Sequence, residues 1–198
     1  MNINLNDDSF NPAQGVAIFN GGNAGTVENV KVSLVKKSAE DKEMAPDYKI
    51  IFTDSNGATC NTPLWYVSKA TQWQSIEQLI KKQGKILKHL LHCALGPNAQ
   101  LPVVNSAEAM LDESMKMLKG ALPNLGSVRV FANYGTNDYR KKYIQIRSWV
   151  PFVESMSVPA DATNLKAGDL DGMTRLVEDA VSTGGEVNAV VADDEADW

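Results

Sequence analysis

A mainly β fold interrupted by two helices is what the sequence predicts, and three observations predict it. Five segments alternate apolar and polar residues with a period of two. The middle of the chain switches to a period of three to four, then returns to alternation near residue 127. The last forty residues lose both periods and turn acidic.

Residues 1–25 of the 198-residue chain are rich in Asn and Gly and read as turns. A phosphate-cradling loop fails there, because no Gly-Lys-Ser/Thr follows the glycines. Residues 26–37 form the first predicted strand, with Val30, Val32 and Leu34 on one face and Asn29, Lys31 and Ser33 on the other. Residues 38–46 read as a charged loop and 48–53 as the second strand. The run Asp54-Ser55-Asn56-Gly57 is a hairpin turn, since Asn-Gly accepts the left-handed backbone. Residues 58–67 are the third strand.

Beyond Ser68 the apolar residues Trp73, Ile76, Ile80, Leu87, Leu90, Leu91 and Ala94 recur at three and four, with Lys81, Lys82, Lys85 and Lys88 mostly between them. This predicts an amphipathic helix stopped by Gly96-Pro97, with Gly84 costing it about 1 kcal/mol. A second helix is expected from an Asn105 N-cap, boxed by Glu108, to a stop at Gly120. Strands are then expected at 127–134 and 143–150, joined by a basic loop, with a further short strand within 152–158.

The order β-β-β-α-α-β-β fits a small antiparallel barrel of the OB type carrying a two-helix insertion. An α+β sandwich is the alternative. The domain is expected to span residues 1–159. Residues 160–198 are expected to be an acidic, partly disordered tail, with a short helix over 165–180.

Net charge is −5, but its distribution is lopsided. Residues 1–153 carry 17 Lys and Arg against 13 Asp and Glu, and residues 154–198 carry 2 against 11. A basic body with an acidic appendage suits a polyanionic partner better than the average implies. Cys60 and Cys93 match no zinc or redox spacing and read as reduced thiols of a cytosolic protein. The N-terminus shows no secretory signal, and no run of apolar residues is long enough to span a membrane. His89 and His92 are the sole histidines and read as helix-packing or surface residues. No catalytic triad, nucleophile elbow, metal set or cofactor motif is legible, so the chain reads as a non-enzyme without a cofactor.

The strands flanking the basic loop carry the functional reading. Alternation places Arg129, Phe131 and Asn133 outward on one strand, and Tyr143, Gln145, Arg147 and Trp149 outward on the next. Paired, they make a platform of three rings laced with two arginines, bordered by Tyr139, Arg140, Lys141 and Lys142. Bases stack on exposed rings at about 1–3 kcal/mol each, and cations meet the phosphates. Lys31 and Lys49 offer a second phosphate-tracking patch; solvated strand edges explain them equally. The competing fate for the rings is burial under the helices, with the arginines snorkelling at the edge. For the helix lysines, plain solvation is preferred over a role in the groove.

The terminal run Asp193-Asp194-Glu195-Ala196-Asp197-Trp198 crowds four carboxylates beside one indole. It is suited to imitate nucleic acid in the basic groove, or to engage a partner with a basic rim and an apolar pocket.

These features together resemble the single-stranded DNA-binding proteins of bacteriophages. The matching residues are Arg129, Phe131, Tyr143, Arg147 and Trp149, the loop residues 139–142, the stretch 29–62 and the acidic ending, here closed by Trp198 where Phe is the familiar residue. The resemblance implies an OB fold and sequence-independent coating of single-stranded DNA in phage replication and recombination. It also implies a C-terminal tail that recruits the phage DNA polymerase and helicase-primase, in the cytoplasm of an infected bacterium. A protein-interaction or virion-associated structural module is the second expectation, with the outward rings forming a subunit interface.

Overall fold

The computed structural model describes residues 17–43, 45–72, 74–134 and 143–174. Strand β1, Gly25–Lys36, runs antiparallel to β2, Tyr48–Thr53, which pairs with β3, Thr59–Leu64. Helices α1, Ile76–Leu95, and α2, Ala107–Leu125, follow. Strands β4, Ser127–Tyr134, β5, Ile144–Ile146, and β6, Val153–Ser155, complete an antiparallel sheet of order β3-β2-β1-β4-β5, with β6 also on β4. The fold is therefore mainly β with two helices, as the alternation predicts.

The core is built from one face of each strand. Tyr48, Ile50 and Phe52 of β2, Cys60 and Leu64 of β3, and Val128, Val130 and Ala132 of β4 are all buried. α1 adds Ile86, Leu87, Leu90 and Leu91, and α2 adds Leu111, Met115, Leu118 and Leu125. α1 packs on α2 and β6, and α2 packs on β1.

β1 serves both halves of the sheet because it carries a bulge. Val27 faces Val130 and Val30 faces Val128, so three steps on β1 match two on β4. Asn29 takes the extra turn with φ 58°. The inward parity shifts there, so that Val27 and Val30 both reach the core. At the β2–β3 turn, Gly57 has φ 80° and the Asp54 carboxylate accepts from the Asn56 and Ala58 N–H groups, each at 2.9 Å. Its other oxygen accepts from the Asn20 N–H at 2.9 Å, tying down a 3-10 turn, Phe19–Gly22, whose Phe19 is buried.

Several boundaries differ from expectation. α1 starts at Ile76 behind a Ser75–Gln78 capping box, and Ile76 itself is exposed. α2 is capped by Ser106, not Asn105: the Ser106 side chain accepts from the Ala109 N–H at 3.1 Å. It passes Gly120 and ends at Gly126, because Ala121 and Leu125 are core residues whose burial outweighs the glycine's cost of about 1 kcal/mol. The strand expected at 143–150 stops at Ile146.

The expected OB-type barrel, closed or partly open, is not closed by a ladder. β3 and β5, the two edges, lie against each other, with Cys60 Sγ 3.8 Å from the Ile144 carbonyl. No β3–β5 pairing occurs among the described residues, and the sheet is open. A three-residue β5 offers too short a partner. Residues 160–174, read from sequence as tail, pack on the sheet: Leu165 is buried, and Tyr134 donates its N–H to Gly172 at 2.7 Å. The rest of the expected tail lies outside the described residues.

Candidate nucleic-acid interface

β5 and β6 are two pieces of one strand laid along the same edge of β4. Ile146 pairs with Ala132 and Val153 with Val130, so six residues, 147–152, loop out opposite Phe131 alone. Phe131 closes the neck of this excursion. Its N–H donates to the Phe152 carbonyl at 2.9 Å, and its carbonyl accepts from the Arg147 N–H at 3.0 Å.

The alternation of β4 is as predicted: Val128, Val130 and Ala132 enter the core, while Arg129, Phe131 and Asn133 point to the opposite face. The predicted exposure is overturned. Arg129, Phe131 and Asn133 are buried, and so is Arg147. The cause is the chain from 153 to 174, which crosses this face and supplies carboxylates to it.

Arg129 is consumed by one of these, Glu154, together with Glu28 of β1. Its Nε and Nη2 each lie 2.9 Å from Glu28 Oε1, and its Nη1 lies 2.7 Å from Glu154 Oε1. Burial pushes the Glu154 carboxyl up. Hydrogen bonds from Thr163, Arg129 and the Asn164 N–H outweigh that and hold it below the usual carboxylate range.

Arg147 donates to Asp171 through Nε at 3.0 Å and Nη2 at 2.6 Å, to the Pro151 carbonyl through Nη1 at 2.9 Å, and to the Lys166 carbonyl through Nη2 at 2.6 Å. Asn133 and the Gly168 N–H also donate to Asp171, at 2.8 and 2.9 Å. Each guanidinium has four of its five donors engaged and is buried, so neither is presented to a phosphate. The Arg147 guanidinium carbon stacks 3.8 Å from the Phe131 ring centroid and lies 5.7 Å from that of Trp149. The three-ring platform is thus reduced at the surface to Tyr143, which is 58% exposed, and Trp149, which is half-buried. Tyr139, Arg140, Lys141 and Lys142 lie outside the described residues, as do Asp193, Asp194, Glu195, Asp197 and Trp198.

The second predicted patch fares differently. Register places Lys31, Ser33 and Val35 of β1 on the outer face, beside Lys49, Ile51 and Thr53 of β2 and Thr59, Asn61 and Pro63 of β3. Their neighbours Val30, Ile50, Phe52, Cys60 and Leu64 are the buried set, so these nine face outward. The nine include two lysines and no acid.

A third feature joins a lysine stripe of α1 to a distant ring. An open groove of about 590 Å³ runs between the first half of α1 and the 147–152 excursion. Gln78, Lys81, Lys82 and Lys85 line one wall, and Ser148, Trp149 and Val150 the other. The helical spacing of the lysines is visible in the sequence; that the far-off Trp149 faces them is not.

The remaining reactive side chains are held in packing roles. His89 Nε2 meets the Val153 carbonyl at 2.7 Å and His92 Nε2 meets the Ala99 carbonyl at 2.9 Å. Burial pulls His89 below its ordinary pKa. Cys60 and Cys93 are free thiols, and burial pushes Cys93 up to about 11. Asp112 of α2 accepts from the Tyr48 and Tyr66 hydroxyls and pairs with Lys36 at 3.3 Å, fastening the helix to β1 and β2. Among the described residues no cluster of His, Cys, Asp and Glu is placed to hold a metal ion, and no helix is long and apolar enough to cross a membrane.

No protein-family model, curated protein or solved structure matches this chain.

Proposed function

We propose that this chain is an OB-type domain that binds single-stranded DNA without sequence preference and without catalysis. The connectivity supports the fold assignment. A three-strand meander leads through helices to a hairpin that returns to the far side of β1, and the bulged β1 is shared by both halves. The edges β3 and β5 face each other as a partly open barrel would have them.

The observation that carries the functional reading is the outer patch of nine residues from β1, β2 and β3, which holds two lysines and no acid. OB domains lay nucleic acid across the β2–β3 face, flanked by the β1–β2 and β4–β5 connections. Here that face bears Lys49 and Ile51, with Lys31 beside Thr53 on the adjoining β1, and the β4–β5 connection carries residues 139–142. Meanwhile Glu28, Glu154 and Asp171 are spent on Arg129 and Arg147. Internal neutralisation of both arginines leaves lysines as the outward cations.

The phage-type role follows as part of the same proposal. The chain coats template during replication and recombination in an infected bacterium. Its acidic end, with Trp198, recruits the phage polymerase and helicase-primase and competes with DNA for the basic face.

Titration of the full chain with oligo-dT at two salt concentrations, followed by tryptophan fluorescence and by anisotropy of labelled DNA, tests this. Binding that weakens steeply with salt is expected, because each phosphate contact releases counterions. Removing residues 190–198 is expected to tighten it. Absence of binding at low salt by both readouts would overturn the reading in favour of an interaction module.

A further inference from the structure

We infer that the groove between α1 and the 147–152 excursion is a second contact site for a single-stranded nucleic acid, with a base against Trp149 and phosphates on Lys82 and Lys85. This rests on the single-strand reading above and adds a site to it.

Gln78, Lys81, Lys82 and Lys85 stand at i, i+3, i+4 and i+7, which puts them on one stripe of α1. Helix geometry spaces Lys81 and Lys85 about 6 Å apart along the axis. Lys81 is partly engaged by Glu77 at 2.7 Å, a fully exposed pair of little strength. Among the described residues no carboxylate pairs with Lys82 or Lys85. The opposite wall holds an indole where a solvated helix face would meet only water.

That indole lies within cation–π reach of a fixed guanidinium. Arg147 lies 5.7 Å from its ring and is itself fixed by Asp171, Pro151 and Lys166. The groove's volume of about 590 Å³ falls within the range of about 300–1,000 Å³ typical of small-molecule sites. Cations on one wall and a ring on the other match a strand whose bases are unstacked. A duplex offers Trp149 no open base face and so gains only the lysines.

The test uses the full chain, labelled oligo-dT and a salt series, with three variants. Lys82→Ala with Lys85→Ala is expected to lower affinity and to flatten the slope of log K against log salt by about 1.4, at roughly 0.7 per single-strand phosphate contact. Trp149→Leu is expected to weaken binding by about 5- to 150-fold with the slope unchanged. Lys116→Ala with Lys119→Ala removes two charges from α2, which does not line the groove, and is expected to change affinity far less. Both lysine pairs are exposed, so these variants fold even if Trp149→Leu does not.

If the wild type binds DNA while Lys82→Ala/Lys85→Ala keeps its affinity and slope, the groove is not a DNA site and the single-strand reading stands. If the wild type does not bind, the single-strand reading itself fails. If a peptide of residues 190–198 binds the wild type, loses that binding in Lys82→Ala/Lys85→Ala, and DNA is indifferent to the same change, the groove belongs to an acidic peptide and the inference is overturned.

Discussion

Asp171 grips Arg147 with both carboxylate oxygens, Oδ1 3.0 Å from Nε and Oδ2 2.6 Å from Nη2, and both side chains are almost wholly buried. Removing one member of such a pair strands the other charge away from water. Asp171→Ala is therefore expected to cost about 3–5 kcal/mol in urea unfolding. Asp171→Ala combined with Arg147→Met is expected to recover much of that loss, since no charge is then stranded. A double variant as unstable as the single one would mean that Arg147 contributes through its stack on Phe131, not through charge.

The same pair ties residues 160–174 to the sheet. A chain ending at residue 174 retains Leu165, Thr163, Asp171 and the Gly172 carbonyl, whereas one ending at 159 loses all four. The 174 form is expected to melt within a few degrees of the full chain. The 159 form is expected to melt roughly 10 °C lower or worse, at about 2–4 °C per kcal/mol for a domain of this size. Calorimetry of the two proteins decides it. Equal melting temperatures would show that the cover adds no stability.

Period-two alternation made β1, β2 and β4 legible almost to the residue, because each has one face in the core and one outside it. What alternation cannot say is what lies over the outer face. Arg129, Phe131 and Arg147 read as a surface because the carboxylates that neutralise them, Glu28, Glu154 and Asp171, are 101, 25 and 24 residues away. Asp171 and Leu165 in turn sit in a segment whose composition reads as tail. The 147–152 excursion was illegible for a similar reason: nothing local stops the alternation 143–150 at Ile146. The lysine stripe of α1 was legible, but its meaning depends on a tryptophan some 65 residues further on.

Acid should weaken this fold in two stages. In the unfolded chain His89 protonates near its ordinary 6.5, while burial keeps the folded imidazole neutral to lower pH. The unfolded state then binds the extra proton, so stability is full above pH 6.5 and declines below it. Glu154 has an ordinary value of 4.5, depressed in the fold, so its contribution is full above 4.5 and is lost as pH falls through the folded value. Urea midpoints from pH 8 to pH 3 are expected to show both declines. His89→Gln keeps a donor for the Val153 carbonyl and is expected to remove the first. An unchanged profile between pH 7 and 5 in that variant would assign the first decline elsewhere.

Lys31 and Lys49 separate binding from stability more cleanly than any ring in this protein. Neither enters the core, and neither takes part in an ion pair among the described residues. Lys31→Ala with Lys49→Ala is thus expected to leave the urea midpoint within about 0.5 kcal/mol of wild type, as surface changes do. If DNA crosses the β2–β3 face, the same variant loses up to two phosphate contacts, and its salt slope falls by up to about 1.4. Phe131→Ala should behave in the opposite way, costing about 3–5 kcal/mol of stability because the ring is buried. Any DNA affinity it loses should track the unfolded fraction and leave the salt slope alone. A lysine pair with a normal slope, beside a well-folded Phe131→Ala protein that no longer binds, would return the interface to the β4–β5 face.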